Sequence, residues 1–125
     1  MRTFIILIIC GLLAAACRPK QPAIEFETLT HDFDTISLKE VGNCTFVYHN
    51  IGNSPLVVER VSTSCGCTKI THTHRTVIPK DTGSVTIHYY PDSEGDFRKI
   101  AVVYSNAANS PKTVLKMKGF VKKVS

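Results

Sequence analysis

Residues 43–61 read NCTFVYHNIGNSPLVVERV, and this stretch decides the fold class. Cys44, Phe46 and Tyr48 alternate with Thr45, Val47 and His49. A period of two places the first set on one face of a strand and the second on the other. The run Asn50-Ile51-Gly52-Asn53-Ser54-Pro55 then breaks the pattern, because Gly and Asn tolerate positive φ and Pro stops strand pairing. A second apolar run, Leu56 to Val61, follows at once. Strand, turn and strand are therefore read within nineteen residues, and no helical period is present.

The same grammar extends in both directions. Ile24, Phe26 and Leu29 open a first strand, continued after a kink by Phe33 and Ile36. Downstream, Val85, Ile87 and Tyr89 alternate after the Pro79–Gly83 turn. Pro91 to Gly95 reads as a hairpin loop whose return strand aligns Ile100, Val102 and Tyr104. After a turn at Asn106–Pro111, Leu115, Met117, Gly119 and Val121 point inward while Lys116 and Lys118 point outward. The expected fold is all-β, an immunoglobulin-like β-sandwich of about seven strands. The Cys–Trp–Cys core of antibody domains is absent, since the chain contains no Trp.

The N-terminus reads as an address. Residues 1–16, MRTFIILIICGLLAAA, carry Arg2 and then no charge as far as Ala16. That span is shorter than the about 20 residues of a membrane-crossing helix and fits an export signal ending in small residues. Leu13-Ala14-Ala15-Ala16-Cys17 resembles a bacterial lipobox, with Ala14 where leucine is more usual. The resemblance implies lipidation of Cys17 after removal of residues 1–16. Residues 17–23 then form a lipidated tether, stiffened by Pro19 and Pro22, and residues 24–125 the sandwich domain. What remains is large enough to bury one core unaided. The net charge of the whole chain is +5, spread along it with no basic run longer than Lys122-Lys123. Nucleic acid is not expected as a partner.

From His31 to Val121 the chain resembles the DUF1573 family, exported bacterial proteins, often lipoproteins, with an immunoglobulin-like domain. The resemblance rests on His31-Asp32-Phe33, on Phe46, Asn50, Gly52, Pro55, Leu56 and Val58, and on the signature Ser64-Cys65-Gly66-Cys67-Thr68. It continues through Gly83, Tyr89, Gly95, Phe97, Ser105 and Asn106 to Leu115, Gly119 and Val121. The family usually has glycine after His-Asp-Phe, where this chain has Asp34. His72 and His74 fall outside the family pattern. The resemblance implies a fold and a location in the cell envelope but brings no assigned chemistry.

The stretch 64–74, SCGCTKITHTH, holds the candidate site residues. In extended backbone Cys65 and Cys67 present two sulfurs to one side. An oxidising compartment favours a disulfide between them, tight across one residue and hence reducible. Two thiolates with His72 and His74 form a four-ligand set suited to Cu(I) or Zn(II), provided the span Thr68–Thr71 turns. A third reading leaves both cysteines as inert packing at a strand corner. Cys44, on the Phe46–Tyr48 face, is read as a buried apolar thiol that could alternatively bridge to Cys65 or Cys67. Asp92, Glu94 and Asp96 alternate in a turn without the ligand loop of a calcium site, and no framed nucleophile suggests an enzyme.

The sequence thus points to an envelope-anchored, periplasm-facing lipoprotein with a binding or structural module. Its expected partners are the membrane, through the lipid on Cys17, and an envelope protein, with no cofactor called for. The alternative is a periplasmic thiol-redox or Cu/Zn-handling protein using Cys65 and Cys67.

Overall fold

The computed structural model of the protein describes residues 19–64, 66–72 and 76–123. Nine strands occur among them: β1 (Ile24–Phe26), β2 (Thr30–Ser37), β3 (Gly42–Asn50), β4 (Leu56–Thr63), β5 (Thr68–His72), β6 (Thr76–Val77), β7 (Thr82–Tyr89), β8 (Gly95–Ser105) and β9 (Lys112–Lys122). They form a four-stranded sheet ordered β1-β3-β7-β5 and a five-stranded sheet ordered β2-β9-β8-β4-β6. The count exceeds the expected set of about seven because the first expected strand divides into β1 and β2 and because β5, with five residues, and β6, with two, join the sheets.

The period-two pattern sorts the strands as the sequence suggests. Cys44, Phe46, Tyr48, Val85, Ile87, Leu115 and Met117 are buried and meet in one core with Leu56, Val58 and Val103. A second cluster of Ile36, Tyr89, Phe97 and Val121 closes one end of the sandwich. Asn50, itself buried, staples the other end. Its Nδ2 donates to the carbonyls of Ser54 and Val77, both at 2.9 Å, and its Oδ1 accepts from the Gly52 amide at 3.0 Å. The Asn50–Gly52 pair therefore answers a buried hydrogen-bonding need.

Three local expectations change. First, residues 24–36 do not form one kinked strand: β1 pairs antiparallel with β3, while β2 pairs parallel with β9 in the other sheet. Second, β7 and β8 are not a hairpin, because they lie in different sheets and the Pro91–Gly95 segment crosses between them. Ile100, Val102 and Tyr104 do share a face, but it is the outer one; Phe97, Ala101 and Val103 face the core. The apolar character of both faces of β8 concealed which one was buried. Third, residues 21–23, expected to be tether, bond to the sandwich. Gln21 and Asn53 exchange hydrogen bonds of 2.7 and 3.0 Å, the Ala108 amide donates to the Pro22 carbonyl at 2.8 Å, and Ile51 donates to Ala23 at 2.9 Å. A Cβ on Gly52 would overlap the Gln21 carbonyl oxygen, so glycine there permits the close approach. Residues 1–16, expected to be an export signal, and Cys17 lie outside the described residues.

Candidate functional site

The SCGCT segment is a corner between sheets. β4 leaves the five-stranded sheet at Thr63, and β5 enters the four-stranded sheet at Thr68. A second crossover, from Tyr89 to Gly95, runs beside it, and the two are joined by the Tyr90 amide donating to the Cys67 carbonyl at 2.7 Å. Cys67 is half-buried and packs on the end cluster beneath it. That floor is aromatic: the Tyr89 and Phe97 rings lie 4.4 Å apart, with Phe33 at 5.9 Å from Phe97 and 6.5 Å from Tyr89. Gly119 makes room for it, since a Cβ there would stand 2.8 Å from two Phe97 ring atoms. By contrast, a Cβ on Gly66 would meet nothing within 4 Å. Packing by the described residues places no demand for glycine at that position.

Cys67 is in a disulfide. Cys44 is not its partner, because Cys44 is a free, buried thiol, so a bridge from Cys44 across the sandwich to Cys67 is excluded. Burial pushes the Cys44 thiol up from 9.0 to about 11, which keeps it neutral and unreactive at physiological pH. Cys65 and His74 lie outside the described residues.

The four-ligand convergence required the span Thr68–Thr71 to turn. It does not: β5 runs straight through to His72, pairing residue by residue with β7 from Thr68↔Tyr89 to His72↔Val85. At about 3.3 Å per residue, His72 lies roughly 13 Å along β5 from Thr68, which leaves Cys67 and His72 far apart. Metal–sulfur and metal–imidazole bonds of about 2.0–2.3 Å cannot join them at one ion. Among the described residues no group of three or more His, Cys, Asp or Glu is placed to share a metal.

The corner and residues 21–23 occupy opposite poles. β3 pairs with β1 at Asn50, next to the docked residues Gln21–Ala23, and reaches the corner at Gly42, opposite Tyr89. Its nine residues make the separation on the order of 25–30 Å. Residues 24–121 match the profile of a family described as protein of unknown function, DUF1573.

The chain belongs to the DUF1573 family.

The DUF1573 domain is also similar in fold to several solved structures. A protein of unknown function from Porphyromonas gingivalis W83 superposes with a TM-score of 0.71 at 15% identity, covering 85% of this chain and 50% of that one. This chain therefore spans about half the length of that relative. PapD-like domain 7 of human CEP192 gives a TM-score of 0.70 at 12% identity, covering 87% of this chain and 92% of that one. The Vibrio cholerae VesB protease gives 0.63 at 11%, covering 80% and 32%. At such identities the likeness concerns the β-sandwich alone. No curated protein matches the sequence.

One feature of the domain surface escaped sequence reasoning. The outer face of the five-stranded sheet gathers Arg98, Lys112, Lys116, Lys118 and Lys122. The alternation of lysines along β9 was visible in the sequence; the register that sets Arg98 directly opposite Lys118 was not.

Proposed function

We propose that this DUF1573 protein is an envelope lipoprotein, held to a membrane by a lipid on Cys17 and facing the periplasm. Its sandwich would serve as a binding or structural module for an envelope protein partner. The observation that supports this reading best is the opposite placement of tether and corner. With residues 21–23 bonded to one pole and Cys67 at the other, an anchored domain keeps its SCGCT corner clear of its own lipid. Tethering also raises the effective concentration of the module near membrane partners. The test is fractionation of Cys17→Ser, which should move the protein out of the lipid-modified membrane fraction and abolish fatty-acid labelling. Unchanged labelling and association would refute the lipid anchor.

A second reading is supported by one specific observation, the disulfide at a half-exposed corner. If Cys65 is the partner of Cys67, a strained bridge across Gly66 would accept two electrons and two protons from a partner dithiol, through a mixed disulfide. The Cys65→Ser/Cys67→Ser variant separates the two readings. Loss of a redox phenotype with the fold intact would favour thiol chemistry, and an unaffected phenotype would leave the binding module.

A further inference from the structure

The outer face of the five-stranded sheet combines charge and apolar surface in a way that packing does not require. β9 runs the length of the sandwich and projects Lys112, Lys116, Lys118 and Lys122 outward, alternating with the core residues Leu115, Met117 and Val121. β8 adds Arg98. Arg98 and Lys118 are direct cross-strand partners, and Lys116 faces Ile100 one pair further on. Like charges opposite one another cost stability. Asp32 relieves only part of that cost, through an exposed contact of 4.0 Å to Lys118, and Asp96 is the only acid that β8 and β9 add to this face. Between the cations stand exposed apolar tips: Ile100 at 41%, Val114 at 38% and Phe120 at 44%. A groove of about 430 Å³, lined in part by Thr30, His31, Arg98, Ile100, Lys116 and Lys118, lies against the cluster.

We propose that this face docks on an anionic phospholipid bilayer, with Arg98, Lys116 and Lys118 meeting headgroup phosphates and Ile100, Val114 and Phe120 reaching the acyl boundary. The proposal rests on the membrane-anchored reading above and gives that anchored domain an orientation. Charge complementarity favours a bilayer over an acidic protein patch. The cations are spread along the whole strand rather than gathered at one pocket, as a broad anionic plane requires, and their alternation with apolar tips is that of an interfacial surface. Phosphate oxygens would also add counter-charge for Arg98 and Lys118 beyond that of Asp32, Asp34 and Asp96, which line the same surface. Docked this way, the long axis lies in the membrane plane and the four-stranded sheet faces water.

The test is lysine footprinting of the full chain, purified from membranes and reconstituted into phosphatidylcholine vesicles with or without phosphatidylglycerol. At single-hit acylation, Lys112, Lys116, Lys118 and Lys122 should react at least about fivefold more slowly on the anionic vesicles, taking about 1 kcal/mol per basic residue at the surface. Lys69, on the opposite sheet, should keep its rate. The protection should vanish near 1 M salt, where the Debye length falls to about 3 Å. Equal rates on both vesicles would overturn the proposal. Protection in intact envelopes but not on vesicles would also overturn it, assigning the face to a protein or polysaccharide. Loss of the chain from neutral vesicles in a high-salt wash would instead count against the lipid anchor, leaving the lysine comparison readable.

Discussion

The two outer faces of the sandwich are built from the same alternating pattern, yet they dispose of their polar groups in opposite ways. On the four-stranded sheet they bond to one another. Asn43 Oδ1 accepts from His88 Nδ1 at 2.6 Å, leaving His88 Nε2 to accept the Thr71 hydroxyl at 2.7 Å. Thr45 and Thr86 share a hydrogen bond of 3.0 Å across β3 and β7. On the five-stranded sheet Arg98 and Lys118 face one another across β8 and β9, with only an exposed contact of 4.0 Å from Lys118 to Asp32. A face that satisfies itself needs no partner; one that stores like-charge repulsion is relieved by an anion. The outer surface of β8 and β9 is thus the one built to be covered.

That contrast can be broken most sharply by charge reversal. Lys116→Glu/Lys118→Glu changes four charge units, and at about 1 kcal/mol each the docking equilibrium constant on anionic vesicles should fall about a thousandfold. Footprinting of Lys112 and Lys122 would read the loss, whereas Thr71→Ala on the other face should leave their protection unchanged. Beneath the neutral face, Cys44 gives a pH signature. Its thiol ionises from 9.0 when exposed but only near 11 when buried, so unfolding favours the thiolate. Stability should be fully present below pH 9 and should decline on the order of 2–3 kcal/mol as pH rises through 11. Urea midpoints of the wild type and Cys44→Ala across that window would isolate this slope.

Beneath the cationic face, Gly119→Ala pushes a methyl group into the Phe97 ring and should cost about 2 kcal/mol, seen as an earlier urea midpoint. His88→Ala should cost about 1 kcal/mol, because its two bonds are solvent-exposed. Lys118→Gln should do the reverse and stabilise by a few tenths of a kcal/mol, by removing the charge opposite Arg98. A loss of stability in Lys118→Gln comparable to that in His88→Ala would erase the distinction between the faces.

Much of this was legible in the sequence where side-chain period and burial coincide. Cys44, Phe46 and Tyr48, then Val85, Ile87 and Tyr89, face the core as their alternation indicates. The reading failed where tertiary pairing decides. Both faces of β8 carry apolar residues, so the period could not say which was buried, and the register opposing Arg98 to Lys118 is a property of two strands, not one. The straight run of β5 from Thr68 to His72 is likewise fixed by pairing with β7, against a local sequence that could equally turn. Asp34 is a more instructive case. It occupies φ +61 at the bulge in β2, in the left-handed region where the family's glycine is at ease. The Asp32 carboxylate accepts its amide at 2.8 Å, which fits the tolerance of Asp for this conformation. The departure from the motif therefore preserves the backbone that the motif requires.

The central claim is that only one face of this domain meets the membrane. It is tested most directly by placing a spin label at Val114 or, separately, at Thr45, and comparing access of a water-soluble relaxation reagent on anionic vesicles. The account expects the Val114 label to be shielded and the Thr45 label to stay as accessible as in neutral vesicles. Equal accessibility at both positions, or shielding at Thr45, would contradict it.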